Sequence, residues 1–125
     1  MRLQYASKDF ENNSKYADFD YGLYEFEYGE PFKKWIWTEK WFGIKINNIY
    51  KINLRILSPI TNKITINNTL IFDILPHVPI NIVLERLKTV SVLNCLCENE
   101  YNTQNDSRSL GLQLLMVSVD DTEIF

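Results

Sequence analysis

The chain lacks most of what a catalytic or stapled domain depends on. Among 125 residues there is one histidine, two cysteines and four glycines. His77 lies between Pro76 and Val78, and a Ser–His–Asp or Cys–His device needs the imidazole beside a nucleophile and an orienting acid. Nothing in the sequence brings such partners together, so His77 reads as a loop histidine. Cys95 and Cys97 are two apart. On a strand that spacing puts both thiols on one side, roughly 6.5–7 Å apart, too far for an unstrained disulfide. A zinc site needs two further ligands, so buried, reduced thiols are expected. The scattered glycines form no phosphate-cradling loop. Alanine is also scarce, which leaves long helices little support.

Several longer features are missing as well. No stretch approaches the roughly 20 apolar residues of a membrane span. The opening Met1–Asp9 has no apolar signal-peptide core, and a cytoplasmic location is expected. There is no repeat, low-complexity tract or Pro/Gly/Ser linker, so residues 1–125 read as a single domain.

Isoleucine and asparagine are abundant, and aromatic residues make up 14% of the chain. β-Branched side chains are stiff at χ1 and pack well on a pleated surface. Alternation is the strongest pattern. Tyr24, Phe26 and Tyr28 alternate with Glu25 and Glu27, and residues 50–56 alternate apolar and polar throughout. Short strands are expected at residues 3–6, 21–28, 34–38, 41–46 and 50–56. Residues 63–66 and 70–74 flank Asn67-Asn68 as a hairpin. Residues 110–119 form a last strand, with Leu112, Leu114 and Met116 on one face. Residues 7–20 read as a polar loop. Residues 80–92 fit helical and extended spacing alike, and the flanking prolines favour the extended form. About eight antiparallel strands with turn signals between them predict an all-β fold, a β-sandwich or jelly roll, with a small closed barrel as the second choice.

Charge divides by region. Residues 1–32 sum to −4, 33–63 to +6 and 64–125 to −5, for a net charge of −3. This pattern suits internal charge matching between strands better than an anionic partner. Lys33, Lys34, Lys40 and Lys45 among aromatics also resemble a grip on single-stranded nucleic acid, but the negative total weighs against it. Glu25 and Glu27 share a strand face and have the residue types of a paired-carboxylate hydrolase. The aromatic opposite face makes them a solvated face instead. Asp18 and Asp20 offer oxygen ligands for calcium, without the EF-hand pattern. No cofactor site is legible.

The densest local feature is aromatic: Trp35, Trp37 and Trp41, with Tyr24 and Tyr28. An exposed indole offers a flat apolar face on which the C–H face of a sugar can stack, with Asn, Lys or Glu taking the hydroxyls. A buried indole fills a core. Trp37 is expected in the core, while Trp35 and Trp41 stand between the two roles.

Three ordered segments carry a resemblance. Gly22-Leu23-Tyr24-Glu25 with Trp35-Ile36-Trp37-Thr38-Glu39 resembles a "GWY…FRWT" opening. Tyr50–Ser58 with Ile64–Asn68 resembles a middle of the type "LRLRLxSP…xVTVNG". Asp106-Ser107-Arg108-Ser109-Leu110-Gly111-Leu112 resembles a closing "DxRxLGL". Over residues 20–119 the chain is similar to a β-sandwich accessory domain found beside bacterial surface-polysaccharide glycosyltransferases. Leu23 stands where tryptophan is usual and Asn68 where glycine is typical. The resemblance implies a non-catalytic module shaped like a carbohydrate-binding domain, with Trp37 and Arg108 as positions of interest. Arg108 can equally pair with Asp106 across a turn. Together the two lines of reasoning give Trp35, Trp37, Trp41, Tyr24 and Arg108 as candidate ligand-binding residues. The expected partner is a glycan, or a neighbouring glycosyltransferase docked without sugar contact. An unrecognised hydrolase is the last choice.

Overall fold

The computed structural model describes residues 17–125, and every regular element among them is a strand. In chain order these are β1 (Ala17–Gly29), β2 (Lys33–Ile46), β3 (Lys51–Leu57), β4 (Asn62–Ile66), β5 (Leu70–Ile74), β6 (Ile80–Glu85), β7 (Val92–Cys97), β8 (Tyr101–Thr103), β9 (Asp106–Leu110), β10 (Gln113–Val119) and β11 (Thr122–Glu123). The all-β expectation is met. No helix among the described residues is long and apolar enough to cross a membrane. The ambiguous stretch after Pro79 is extended: Ile80, Ile82 and Leu84 turn inward on β6, and residues 86–91 connect it to β7.

Among the described residues, nine strands form one antiparallel sheet along the path β5-β4-β7-β2-β10-β3-β6, with β1 beside β2 and β11 beside β10. β8 and β9 form a separate ribbon. The sheet curls into a nearly closed, barrel-like form. The long strand β2 organises it. One edge of β2 pairs with β1 along its length. The other edge pairs with β10 at Ile36 and Trp37, then with β7 from Trp41 to Lys45. The β1–β2 hairpin therefore belongs to two halves of the sheet, one leading to β5 and the other to β6.

Several boundaries differ from the sequence reading. The two short strands expected at 34–38 and 41–46 are one, because Glu39 and Lys40 continue the pleat without a turn residue. The loop expected over 7–20 gives way to strand from Ala17, where Ala17, Asp18 and Phe19 pair with Ile46, Lys45 and Ile44. Residues 3–6 and 7–16 lie outside the described residues. The strand expected over 110–119 is divided. Gly111 and Leu112 cross Thr38, whose carbonyl accepts the Gly111 N–H at 2.7 Å and whose hydroxyl accepts the Leu112 N–H at 2.9 Å. A register shift between Leu114 and Met116 then inverts the alternation. Val117 and Val119 turn inward, and Met116 does not share the buried face of Leu112 and Leu114.

The core is mainly aliphatic, with Ile36, Ile44, Ile52, Leu54, Ile64, Ile66 and Leu114 fully enclosed around Phe42. The free thiols of Cys95 and Cys97 sit in it side by side on β7. Burial pushes both up, Cys97 to about 12. Asparagine explains how so few glycines suffice. Asn48, Asn67 and Asn68 adopt φ of 56°, 51° and 62°, the left-handed region that asparagine tolerates better than most residues. Asn67 and Asn68 turn the β4–β5 hairpin there as expected, with Thr69 N–H donating to Ile66 carbonyl at 3.2 Å.

Candidate ligand-binding face

Alternation along β2 sends Ile36, Thr38, Phe42, Ile44 and Ile46 into the core. Trp35, Trp37, Glu39, Trp41, Gly43 and Lys45 lie on the opposite face. All three indoles therefore share one face of one strand, but their surroundings differ.

Trp35 is half-buried. The far edge of its ring lies 3.4 Å from where a β-carbon on Gly29 would stand, and its Nε1 is enclosed without a hydrogen-bond partner among the described residues. Trp37 is half-buried beneath the β8–β9 ribbon, where Tyr101 stacks on it with centroids 5.9 Å apart and planes 11° apart. Tyr24 is 3% exposed, and its hydroxyl donates to the Ser109 carbonyl at 3.2 Å. That ring offers no open face for stacking. Arg108 is held by carboxylates. Its Nη1 donates to Glu27 Oε2 at 2.8 Å, its Nη2 to Asp106 Oδ2 at 2.7 Å and its Nε to both Asp106 oxygens, while the guanidinium lies 5.1 Å from the Tyr24 ring centre. The hydrogen bonds from Arg108 hold the Asp106 carboxyl down at about 2. Glu27, expected on a solvated face, is thus a structural anion, while Glu25 is exposed. The group Tyr24–Glu27–Asp106–Arg108 ties the ribbon to β1.

Trp41 is different: its side chain is 62% exposed. Around it the sheet presents a register-aligned row. Trp41 lies opposite Leu96 on β7, Leu96 opposite Thr65 on β4, and Thr65 opposite Ile71 on β5. Leu96 and Ile71 are 43% and 60% exposed, so the row is an apolar band running across four strands. Next to it lies a second row, Gly43 opposite Asn94, over which Tyr21 is laid.

The placement of Tyr21 is a product of two glycines. β1 shifts register on either side of Tyr21, and Gly22 adopts φ +77° at that irregularity. A β-carbon on Gly22 would meet the Trp41 carbonyl at 2.1 Å, and one on Gly43 would meet the Tyr21 ring at 2.3 Å. Without side chains at 22 and 43, the Tyr21 ring can lie across β2 beside Trp41. Its hydroxyl donates to Asn94 Oδ1 at 2.5 Å. The Tyr21 pKa is raised, first by burial and then by its neighbours Cys95 and Asp20, with the Trp41 indole N–H acting the other way. Asn94 is fixed from behind: its N–H donates to Asn67 Oδ1 at 2.7 Å, and its carbonyl accepts the Asn67 N–H at 2.8 Å.

Of the five sequence-derived candidates, the structure leaves one indole open, stacks or encloses two others, and sets Tyr24 and Arg108 in an ion-paired clamp. Tyr21, Asn94, Leu96 and Ile71 were not among them. A glycine inside a strand pattern marks a bulge or a close approach, so Gly22 and Gly43 were the available signal for Tyr21. Among the described residues no group of three His, Cys, Asp or Glu side chains is placed to hold a metal. Comparison with family models, curated proteins and solved structures finds no match.

Proposed function

We propose that the chain is a non-catalytic carbohydrate-binding module that accompanies bacterial surface-polysaccharide glycosyltransferases in the cytoplasm. The observation that supports this reading is the Trp41 indole, exposed on a rigid central strand with a tyrosine hydroxyl and an asparagine amide at its edge. A flat apolar ring beside a few convergent polar groups is what a pyranose needs, since sugars have apolar C–H faces and a hydroxyl rim. In this reading the two halves of the sheet, hinged on the β1–β2 hairpin, act as the layers of a sandwich of the jelly-roll kind. The open ring lies on the layer that runs to β5. A glycan array of bacterial polysaccharides, probed with the whole chain, tests the reading: retention on at least one polysaccharide is expected, and a blank array contradicts it.

A second reading has its own observation. Leu96 and Ile71 extend the apolar band from Trp41 to β5, which ends the sheet path and also exposes Leu70. Exposed apolar rows and sheet edges serve protein contacts, so the same face suits docking of a glycosyltransferase without sugar contact. The two readings separate by mutation. Leu96→Asp and Ile71→Asp abolish co-purification with a transferase in the docking reading and spare sugar retention in the other.

A further inference from the structure

The polar groups around Trp41 have a definite chemistry. Two that lie in the adjoining row are a phenol, Tyr21, and a carboxamide, Asn94. Within the hydrogen-bonded pair, Tyr21 spends its only proton on Asn94 Oδ1, and its oxygen, which the Trp41 indole N–H also approaches, keeps one further lone pair as an acceptor. The two amide hydrogens on Asn94 Nδ2 have no acceptor among the described residues, and Asn94 itself is exposed. The pair therefore presents one acceptor and two donors side by side, all neutral, at the edge of a flat ring. This is the complement of adjacent sugar hydroxyls, each of which both donates and accepts.

The surrounding charges sharpen the selection. Asp20 is exposed next to Tyr21 in the chain, and its negative charge is felt at the phenol. An anionic group on a ligand would meet repulsion there. Lys45, on the same face two residues past Gly43, lies opposite Asp18 in the β1 register. Lys40, the immediate neighbour of Trp41, acts on the other side of the strand, where its charge pulls the Cys97 thiol down against the larger effect of burial. Lys63 lies 3.9 Å from Asp73 at the far end of the band. Among the described residues no arginine fork stands beside the indole, and Arg108 is committed to Glu27 and Asp106.

We infer that the face around Trp41 selects neutral glycans over uronate- or sialate-bearing ones, with Tyr21 and Asn94 as the residues that read sugar hydroxyls. The inference rests on the carbohydrate reading above. Tyr21 acts from its place across Gly43, and Asn94 is braced by Asn67, so neither group needs to be ordered when a ligand arrives.

The test is titration calorimetry of the whole chain with two oligosaccharides of equal length, one of neutral hexose and one of hexuronate. Alongside wild type, Tyr21→Phe, Asn94→Ala and Asp20→Asn are measured. Wild type is expected to prefer the neutral ligand by at least tenfold. Tyr21→Phe, which keeps the ring, and Asn94→Ala should each lose about tenfold, or about 1.4 kcal/mol, within the range of one net hydrogen bond. Asp20→Asn should narrow the preference. Equal or tighter binding of hexuronate overturns the inference while leaving the carbohydrate reading standing, and so does undiminished neutral-sugar binding by both Tyr21→Phe and Asn94→Ala. Silence of wild type toward both ligands overturns the two together.

Discussion

Trp37 and Trp41 stand four residues apart on one face of one strand, yet their neighbours give them opposite duties. Tyr101 covers Trp37, so truncating it removes a stacked pair and part of the ribbon's seat. Trp37→Ala is expected to cost about 2–3 kcal/mol, below the 3–5 kcal/mol of a fully enclosed indole, read as a lowered denaturant midpoint. Trp41→Ala should change stability by no more than about 0.5 kcal/mol, as exposed substitutions do. Comparable losses at the two positions would contradict the division of roles. Arg108 belongs with Trp37 on the structural side. Removing it leaves Glu27 and Asp106 as unneutralised neighbours, at an expected cost of about 1–2 kcal/mol after solvent screening. Arg108→Lys should restore little, because an ammonium cannot span both carboxylates. The pH dependence has a fixed sign. Asp106 is depressed from 3.8 to about 2, so its contribution is complete above pH about 4 and fades as pH falls toward 2. The stability gap between wild type and Arg108→Ala should narrow over that window. A gap that widened on acidification would contradict the ion-pair assignment.

At the scale of elements, the irregularities are what build the face. Gly22 and Gly43 both make room for the Tyr21–Trp41 arrangement, but they obstruct differently. A methyl at Gly43 meets the end of a side chain that can swing aside, whereas a methyl at Gly22 meets the Trp41 carbonyl at a positive φ. Gly43→Ala should therefore displace Tyr21 and weaken ligand binding while leaving the melting temperature near wild type. Gly22→Ala should lower the melting temperature by several degrees, as a loss of 1 kcal/mol or more does in a domain of about this size. The reverse ranking would show that the two glycines do not share this purpose. Where a segment followed strict alternation its form was legible in advance: residues 50–56, the hairpin around Asn67-Asn68, and the side-by-side thiols of Cys95 and Cys97. What periodicity could not carry was the bulges. They placed Tyr21 across β2 and turned Met116 off the buried face, while the crossing of Thr38 by Gly111-Leu112 divided the last strand. The segment "DxRxLGL" has a physical content here. Asp106 and Arg108 clamp the ribbon, Gly111 permits close approach to the Thr38 hydroxyl and the Glu39 backbone, and Leu112 is enclosed.

Across the whole molecule, the alternating charge blocks fit internal matching. Lys51 pairs with Asp121 at 2.7 Å and Lys63 lies near Asp73, so cations of the basic middle meet acids of residues 64–125. The strand-built class was readable from isoleucine, turn residues and period two. The path of the sheet was not, since a strand shared between two halves, as β2 is, leaves no mark in local spacing. The outcome is a scaffold with one indole open to solvent on its central strand, and the functional reading depends on that ring. Calorimetric titration of a retained polysaccharide into wild type and Trp41→Ala, each checked for an unchanged melting temperature, tests this most directly. The account predicts binding heat with wild type and at least a tenfold loss in the variant. Equal affinity in both proteins would contradict it.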